Sequence, residues 1–301
     1  MMSDEKFTNK IRATVIKDSR FEGRDVGCSR LITVEYVAPK FLLAEINTHR
    51  MMVKNASSSR SEPTTSFMTH VFVPTKVGKN KSGMQSSEYL NDDELSEFQK
   101  DWLRIYEMVS EEVCKLKDKY NPHKQTLNRL LEPFILAKGV ITATEKWWNH
   151  FFMLRDSDLA QPEIKELSVA MRKAINDSTP QTLRVGEWHL PYVDSKVAGD
   201  NNINIKISAS CVAQVSYRKL DLTEDKALSI FEKLNLLSKD KMNPPHISPV
   251  QHIACCVSKR HLFSFLNVVK YNIDSFHSEF GEFFVQCSKL IENLGTLSFN
   301  E

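Results

Sequence analysis

Asn47-Thr48-His49-Arg50-Met51-Met52-Val53-Lys54-Asn55-Ala56-Ser57-Ser58-Ser59-Arg60-Ser61 follows an apolar segment and gathers a histidine, two arginines and a serine triplet into fifteen residues. A helix that buries one face does not spend its residues this way. Guanidinium groups bind phosphate through paired hydrogen bonds, and short side chains let backbone N–H groups approach an anion. The stretch therefore reads in one of two ways: a site for a phosphorylated ligand, or a polar helix end running into a serine-rich loop.

Upstream, Ile32, Val34 and Tyr36 alternate with Thr33, Glu35 and Val37, the pattern of a strand with one buried face. Pro39 suits the first turn of a helix that Phe41, Leu42, Ala44, Glu45 and Ile46 carry towards His49. Downstream, Pro63, Pro74, Gly78 and Gly83 punctuate residues 62–90, an irregular segment with the character of a mobile loop or lid. Helical patterns resume over Asp92–Lys119, again from Gln125 with Arg129 ahead of Pro133, and over Thr144–Arg155. Asp156-Ser157-Asp158 offers N-cap residues and Pro162 an opening turn, after which Ile164, Leu167, Ala170, Met171 and Ile175 form a helical stripe. Arg155 thus falls at a junction beside a fresh helix N-terminus, a place that favours anions. Asn202–Ile207 reads as a strand, Ser210–Tyr217 as a helix start, and His261–Tyr271 and Ser278–Leu294 as closing helices after a proline-rich interruption at Pro244–His252.

The 301 residues suffice for one large domain or two ordinary ones, and 41% hydrophobic with 26% charged residues is the composition of a soluble globular protein. A net charge of +2 leaves no basic stripe, which argues against a nucleic-acid polymer as partner. No apolar run reaches the length of a membrane span, and Met1–Lys6 lacks the apolar core of a signal peptide, so a cytoplasmic location is expected. The six cysteines show no disulfide framework.

No glycine-rich phosphate loop of either common type occurs. His246, His252, Cys255, Cys256 and His261 lie near one another, but their spacing fits no zinc pattern and no metal is expected. No cysteine has a partner histidine in a nucleophile setting. Trp188-His189 reads as a packing corner.

Several segments jointly resemble the flavin-dependent thymidylate synthases (ThyX). Thr48-His49-Arg50, followed by Asn55, Ser58 and Arg60, resembles their signature: Arg-His-Arg, seven residues, then Ser, with an Asn inside and an Arg two after the Ser. Leu154-Arg155, then Ala160-Gln161-Pro162-Glu163-Ile164, resembles the second signature, Leu-Arg followed by a polar spacer and Ala-Gln-x-Glu-Ile. Asn128–Pro133 resembles the segment that supplies a further phosphate-binding arginine. Cys211–Tyr217 and His246–His252 resemble the family's N-terminal Ala-Arg-Val-Ser helix and His-x-Thr-Pro-Phe-Glu-His turn, yet here they follow the signatures. A circular permutation is the simplest account, since compact domains tolerate one when the old termini lie close together.

The resemblance implies a mixed α/β (α+β) fold with a central antiparallel-rich sheet and flanking helices. It implies one domain over 1–301, with the main signatures in 30–175 and the permuted flavin-binding segment in 205–255. The implied reaction moves a methylene from methylenetetrahydrofolate to C5 of dUMP, or a related deoxypyrimidine monophosphate, with FAD as cofactor and NADPH as electron source. The implied assembly is a homotetramer with active sites between subunits. By the same resemblance, Ser58, Ser59, Arg60 and Arg129 hold the nucleotide, with Glu45 close to it. Arg155 and Ser58 take the catalytic positions, Arg155 steadying charge on the pyrimidine. Thr48, His49, Arg50, Asn55, His150, Gln161, Ser216, His246 and Ser248 hold the flavin. No enzyme nucleophile is needed, because the cofactor carries the hard chemistry.

The departures matter as much as the matches. Thr48 stands where the family has its first Arg, Ala56 where Glu is usual, Leu159 where a flavin-contacting His is usual, Ser61 where Tyr is common, and Glu45 where Gln is frequent. One lost ligand-facing cation costs about 1–3 kcal/mol of binding. The nucleotide side is therefore better kept than the flavin side. That leaves two rivals: a hydroxymethylase, in which water captures the methylene adduct, and a non-catalytic nucleotide-binding protein. The Asn-Ala-Ser-Ser-Ser-Arg form resembles viral, especially bacteriophage, relatives, for which the compartment would be the host cytoplasm.

Overall fold

Two long strands set the frame. β1 (Arg12–Gly23) and β2 (Gly27–Pro39) pair antiparallel, with one register shift between Val15 and Lys17. β3 (Val53–Ala56) pairs antiparallel with β4 (Leu136–Thr144), β4 with β2, and β5 (Gln181–Leu183) runs parallel to β1. The sheet order is β3-β4-β2-β1-β5. The computed structural model describes residues 10–23, 27–82, 86, 88–193, 201–216, 223–257, 273–276 and 278–295.

The helices α5 (Glu145–Arg155) and α6 (Pro162–Asn176) cover one face. Ile32, Val34 and Tyr36 from β2 meet Trp148, Phe151, Phe152, Ile164, Leu167, Met171 and Ile175 there in one apolar cluster. Burying each such side chain contributes about 1.5–3 kcal/mol. Gly139 of β4 lies opposite Tyr36, and a methyl group there would sit 2.3 Å from the tyrosine ring, so the strand needs glycine at that point. Ahead of α5 come the short α1 (Leu43–Ile46) and α2 (Thr64–Phe67), the long α3 (Asp92–Tyr120) and α4 (Lys124–Leu131). A reciprocal pair of bonds between Asn91 and Glu94 opens α3, and Asn121 closes it in the left-handed region at φ 43°.

The second face of β2 is also buried, a correction to the one-faced strand expected. A small antiparallel sheet of β6 (Trp188–His189), β7 (Ala254–Cys256) and β8 (Phe284–Gln286) lies beyond it, with α7 (Asn201–Ala213), α8 (Glu224–Lys233) and α9 (Cys287–Leu294). The polar residues of β2 face this layer because they have partners in it. Ser19 Oγ bonds His189 Nδ1 at 2.8 Å, and His189 Nε2 bonds Thr33 Oγ1 at 2.8 Å. Thr33 Oγ1 bonds Thr142 Oγ1 at 2.7 Å, and Thr142 Oγ1 bonds His252 Nδ1 at 2.8 Å. All five side chains are fully buried. Burial pushes the His252 imidazolium down to about 3 and that of His189 well below its ordinary value, so both rings stay neutral.

Other expectations change. Asn202–Ile207 lies in helix α7, not a strand: the alternating asparagines and isoleucines mimic a strand, but burial follows Ile205, Ser208, Ala209 and Val212 at helical spacing. Ser210 is therefore near the end of a helix rather than its start. Ser278–Leu294 is not one helix, because Phe284–Gln286 pairs with β7 before α9 begins. Pro39 ends β2, and the helix after it splits into a 3-10 turn at Lys40–Leu42 and α1. His189 is more than a packing corner, being central to the buried chain. The helix expected at His261–Tyr271 lies outside the described residues. The segment after Glu62 is largely irregular but anchored, with Phe67, Val71 and Phe72 buried and Val71 bridged to Ile135. Among the described residues, no helix is long and apolar enough to cross a membrane.

Candidate active site

The turn that follows α1 divides two clefts. On one side Thr48, His49, Arg50, Met51, Met52, Trp147, His150, Leu154 and Arg155 enclose about 280 Å³. Arg155, the last residue of α5, is held by three acceptors. Its Nε donates to His49 Nε2 at 2.9 Å, its Nη1 to Glu45 Oε1, and its Nη2 to Thr48 Oγ1 at 3.3 Å. His49 can accept only if Nε2 carries no proton. Burial first, then the charges of Arg155, Lys54 and His150, lower its pKa to about 4, which keeps the ring neutral, and the Nδ1–H tautomer leaves Nε2 free to accept. Thr48, the departure from the signature, turns its hydroxyl to the Glu45 carbonyl at 2.7 Å.

The second cleft is a cavity of about 1080 Å³. Asn47, Lys54, Asn55 and Ser58 line it from the signature, and Gln214, His246 and Ser248 from the C-terminal layer. The two sequence segments expected to share a ligand thus face one space. Ser216 closes the 3-10 turn whose first two residues, Gln214 and Val215, line that space. Lys226 and Lys233 of α8 also line it, and among the described residues no Asp or Glu does.

The remaining predicted residues sit elsewhere. Ser59, expected on the nucleotide, is a correction: it is buried, its hydroxyl is bound to Glu132 and its carbonyl accepts from Asn128 Nδ2 at 2.9 Å. Arg60 lies outside both clefts, its Nε donating to Gln125 Oε1 at 2.7 Å. Arg129, one turn beyond Gln125 on α4, shares that exposed helix face. Gln161 is exposed at the N-cap of α6, bonded to Glu163 at 2.8 Å, and lines neither cleft. Of the neighbouring His and Cys residues, His252 is tied to Thr142, Cys255 and Cys256 are buried in β7 with thiol pKa values raised by burial, and His261 lies outside the described residues. Among the described residues no group of His, Cys, Asp and Glu could hold a metal.

Asn128 and Lys40 hold the serine loop in shape and carry no motif signal of their own. Asn128 Nδ2 reaches the carbonyls of Ser59 and Glu62, and Lys40 Nζ that of Ser57 at 2.7 Å. Asn128 sits inside a segment singled out for its arginine alone. Lys40 would have needed the knowledge that its position is buried.

The sequence profile of one family, thymidylate synthase complementing protein, matches residues 30–181. The chain belongs to that family. Its match runs from within β2 to the first residue of β5, includes both signatures, and stops short of the His246–Ser248 turn. Comparison with the curated proteins finds none that matches. Among solved structures the thymidylate synthase complementing protein fold of this chain is similar to a UMP/dUMP methylase PolB from Streptomyces cacaoi bound with 5-Br UMP. That likeness has 18% identity and a TM-score of 0.46, covering 56% of this chain and 89% of the other.

Proposed function

We propose that the protein transfers a one-carbon unit from methylenetetrahydrofolate to C5 of a deoxypyrimidine monophosphate, in the simplest case dUMP, and reduces it with FAD, NADPH being the electron source. The observation that carries this reading is the fixed Arg155 guanidinium. It has five N–H donors and spends three on His49, Glu45 and Thr48. Two N–H groups remain for a pyrimidine carbonyl. C5 is nucleophilic in the enolate form of the pyrimidine, whose negative charge sits on the carbonyl oxygen, and a cation already in place stabilises that form without reorganisation, typically by a few kcal/mol. Ser58 would bind the nucleotide from the neighbouring wall, with Arg60 and Arg129 as phosphate partners.

FAD fits the larger cavity by the chemistry of its lining. Asn55, His246 and Ser248 offer hydrogen bonds, while Leu43, Ile46 and Pro249 offer an apolar bed for a ring. The bound flavin would supply the hydride; Thr48, His49, Arg50 and His150 would approach it from the smaller cleft. We take residues 205–255 to be the family's N-terminal flavin-binding element in permuted order. The His246–Ser248 turn lies outside the family match yet opens onto the same space as Asn55 and Ser58. Neither cleft holds Arg155, Ser58 and Arg129 together, which supports a homotetramer whose sites are completed between copies. Exposed Met51, Met153, Leu154 and Leu159 near the Arg155 cleft offer apolar surface for that assembly.

One observation favours the hydroxymethylase alternative: Leu159, at the position of a flavin-contacting histidine, is 66% exposed and offers no hydrogen bond. Mass spectrometry of dUMP and dCMP after incubation with methylenetetrahydrofolate, with and without FAD and NADPH, separates the readings. A flavin-dependent gain of a methyl group supports the synthase. A hydroxymethyl gain independent of flavin replaces it with the alternative, and unchanged nucleotides leave a binding protein.

A further inference from the structure

We propose that Lys226 and Lys233 of α8 form the binding wall for the diphosphate of a dinucleotide, a role that rests on the flavin reading of the larger cavity. The two lysines are seven residues apart, which puts them on one helix face about 10 Å apart along the axis. Ile230 between them lines the same cavity, so this face is the one turned towards it. The acidic residues of α8, Glu224, Asp225 and Glu232, do not line the cavity. Among the described residues neither lysine has an ion pair. Lys54 adds a third cation from the opposite wall, although its ammonium is engaged by the His49 carbonyl. Among the described residues no carboxylate lines the space, and Ala56 stands on the lining. A concave site with cations and no acidic counter-charge is completed by an anionic ligand.

Size and reach narrow the anion. The cavity of about 1080 Å³ is at the upper end of small-molecule sites, more than one mononucleotide needs. Lysine stems are flexible, so two ammoniums can converge on adjoining phosphates. FAD and NADPH share this diphosphate chemistry.

Equilibrium titrations of the full chain with FAD, FMN, riboflavin and NADPH, followed by fluorescence, test the inference. In the Lys226→Ala/Lys233→Ala variant FAD is expected to bind about tenfold or more weakly, while riboflavin, which has no phosphate, binds as before. Lys226→Arg/Lys233→Arg should restore most of the FAD affinity. A lysine-dependent NADPH affinity with none for FAD would keep the diphosphate wall and reassign its ligand. Equal FAD affinity in the wild type and the alanine variant overturns the inference while leaving the flavin reading standing. Binding of no dinucleotide at all overturns both. Both lysines are solvent-exposed, and unchanged thermal melting of the ligand-free variants shows that the fold is intact.

Discussion

The Arg155 cleft and the larger cavity share the turn from Asn47 to Met52 but are finished to different degrees. In the cleft the central charge has its partner: Arg155 faces Glu45, and His49 is kept neutral so that it can accept a bond. In the cavity three lysines, two asparagines and two serines look into a space that no carboxylate among the described residues lines. The first is electrostatically preorganised before any ligand arrives, which is what stabilisation of a developing charge requires. The second has no counter-charge on its described lining, and an anionic ligand would supply one. One region is built for chemistry and the other for capture.

The strongest challenge to that division is Arg155→Ala. Turnover of the nucleotide should fall about a hundredfold to a thousandfold, the usual cost of losing a charge-stabilising donor, while FAD affinity stays within about twofold. A parallel loss of flavin binding, measured by fluorescence titration, would show that the two regions are not separate.

Acid probes both regions through their histidines. His49 of the cleft titrates at about 4 in the folded chain, His252 behind the cavity at about 3, and His189 well below its ordinary value. All three return to about 6.5 on unfolding. Their neutral burial is therefore tolerated fully above about pH 6.5, and stability is lost as pH falls from there towards the folded values. The loss is roughly 1 kcal/mol for each histidine per pH unit. Urea midpoints at pH 7.5 and 5.5 should differ accordingly, and equal midpoints would contradict neutral buried rings.

Thr142→Val sharpens the comparison from the structural side. It removes the hydroxyl between Thr33 and His252 and leaves a buried imidazole nitrogen unpaired, at a cost of about 1–3 kcal/mol. Urea unfolding measures the loss. The flavin site should loosen with it, because His252 closes the turn that carries Ser248, whereas the Arg155 cleft should not. The smallest effect belongs to Glu45→Gln. Releasing Arg155 from a half-exposed pair should tighten nucleotide binding by a few-fold at most, read from a binding isotherm at low salt.

Legibility in the sequence followed locality. Strand β2, helices α3, α5 and α6, and the junction at Arg155 are written in periodicity and caps within a few residues, and they were readable. The bond between His49 and Arg155 was not, since the resemblance put one on the flavin and the other on the pyrimidine. What failed depended on distant partners. β1 and the second burial of β2 exist because residues beyond 180 cover that face, so Thr33 and Glu35 look solvent-facing to a local reading. Alternation over Asn202–Ile207 resembled a strand because the helix buries Asn204 as well as Ile205. Ser59 looked like its neighbour Ser58 until Glu132, far along the chain, turned it inward. Lys226 and Lys233 carry no motif and become visible only once α8 is placed against the cavity.

The most direct measurement is activity in mixed assemblies. Arg155→Ala and Asn55→Ala/His246→Ala chains are each expected to be inactive alone, one lacking the charge-stabilising cleft and the other the capture cavity. If the working halves come from different copies, co-expressed chains should regain dUMP conversion by pairing the intact cleft of one with the intact cavity of the other. Mixtures as inactive as either variant alone would contradict a site shared between copies and place both halves within a single chain.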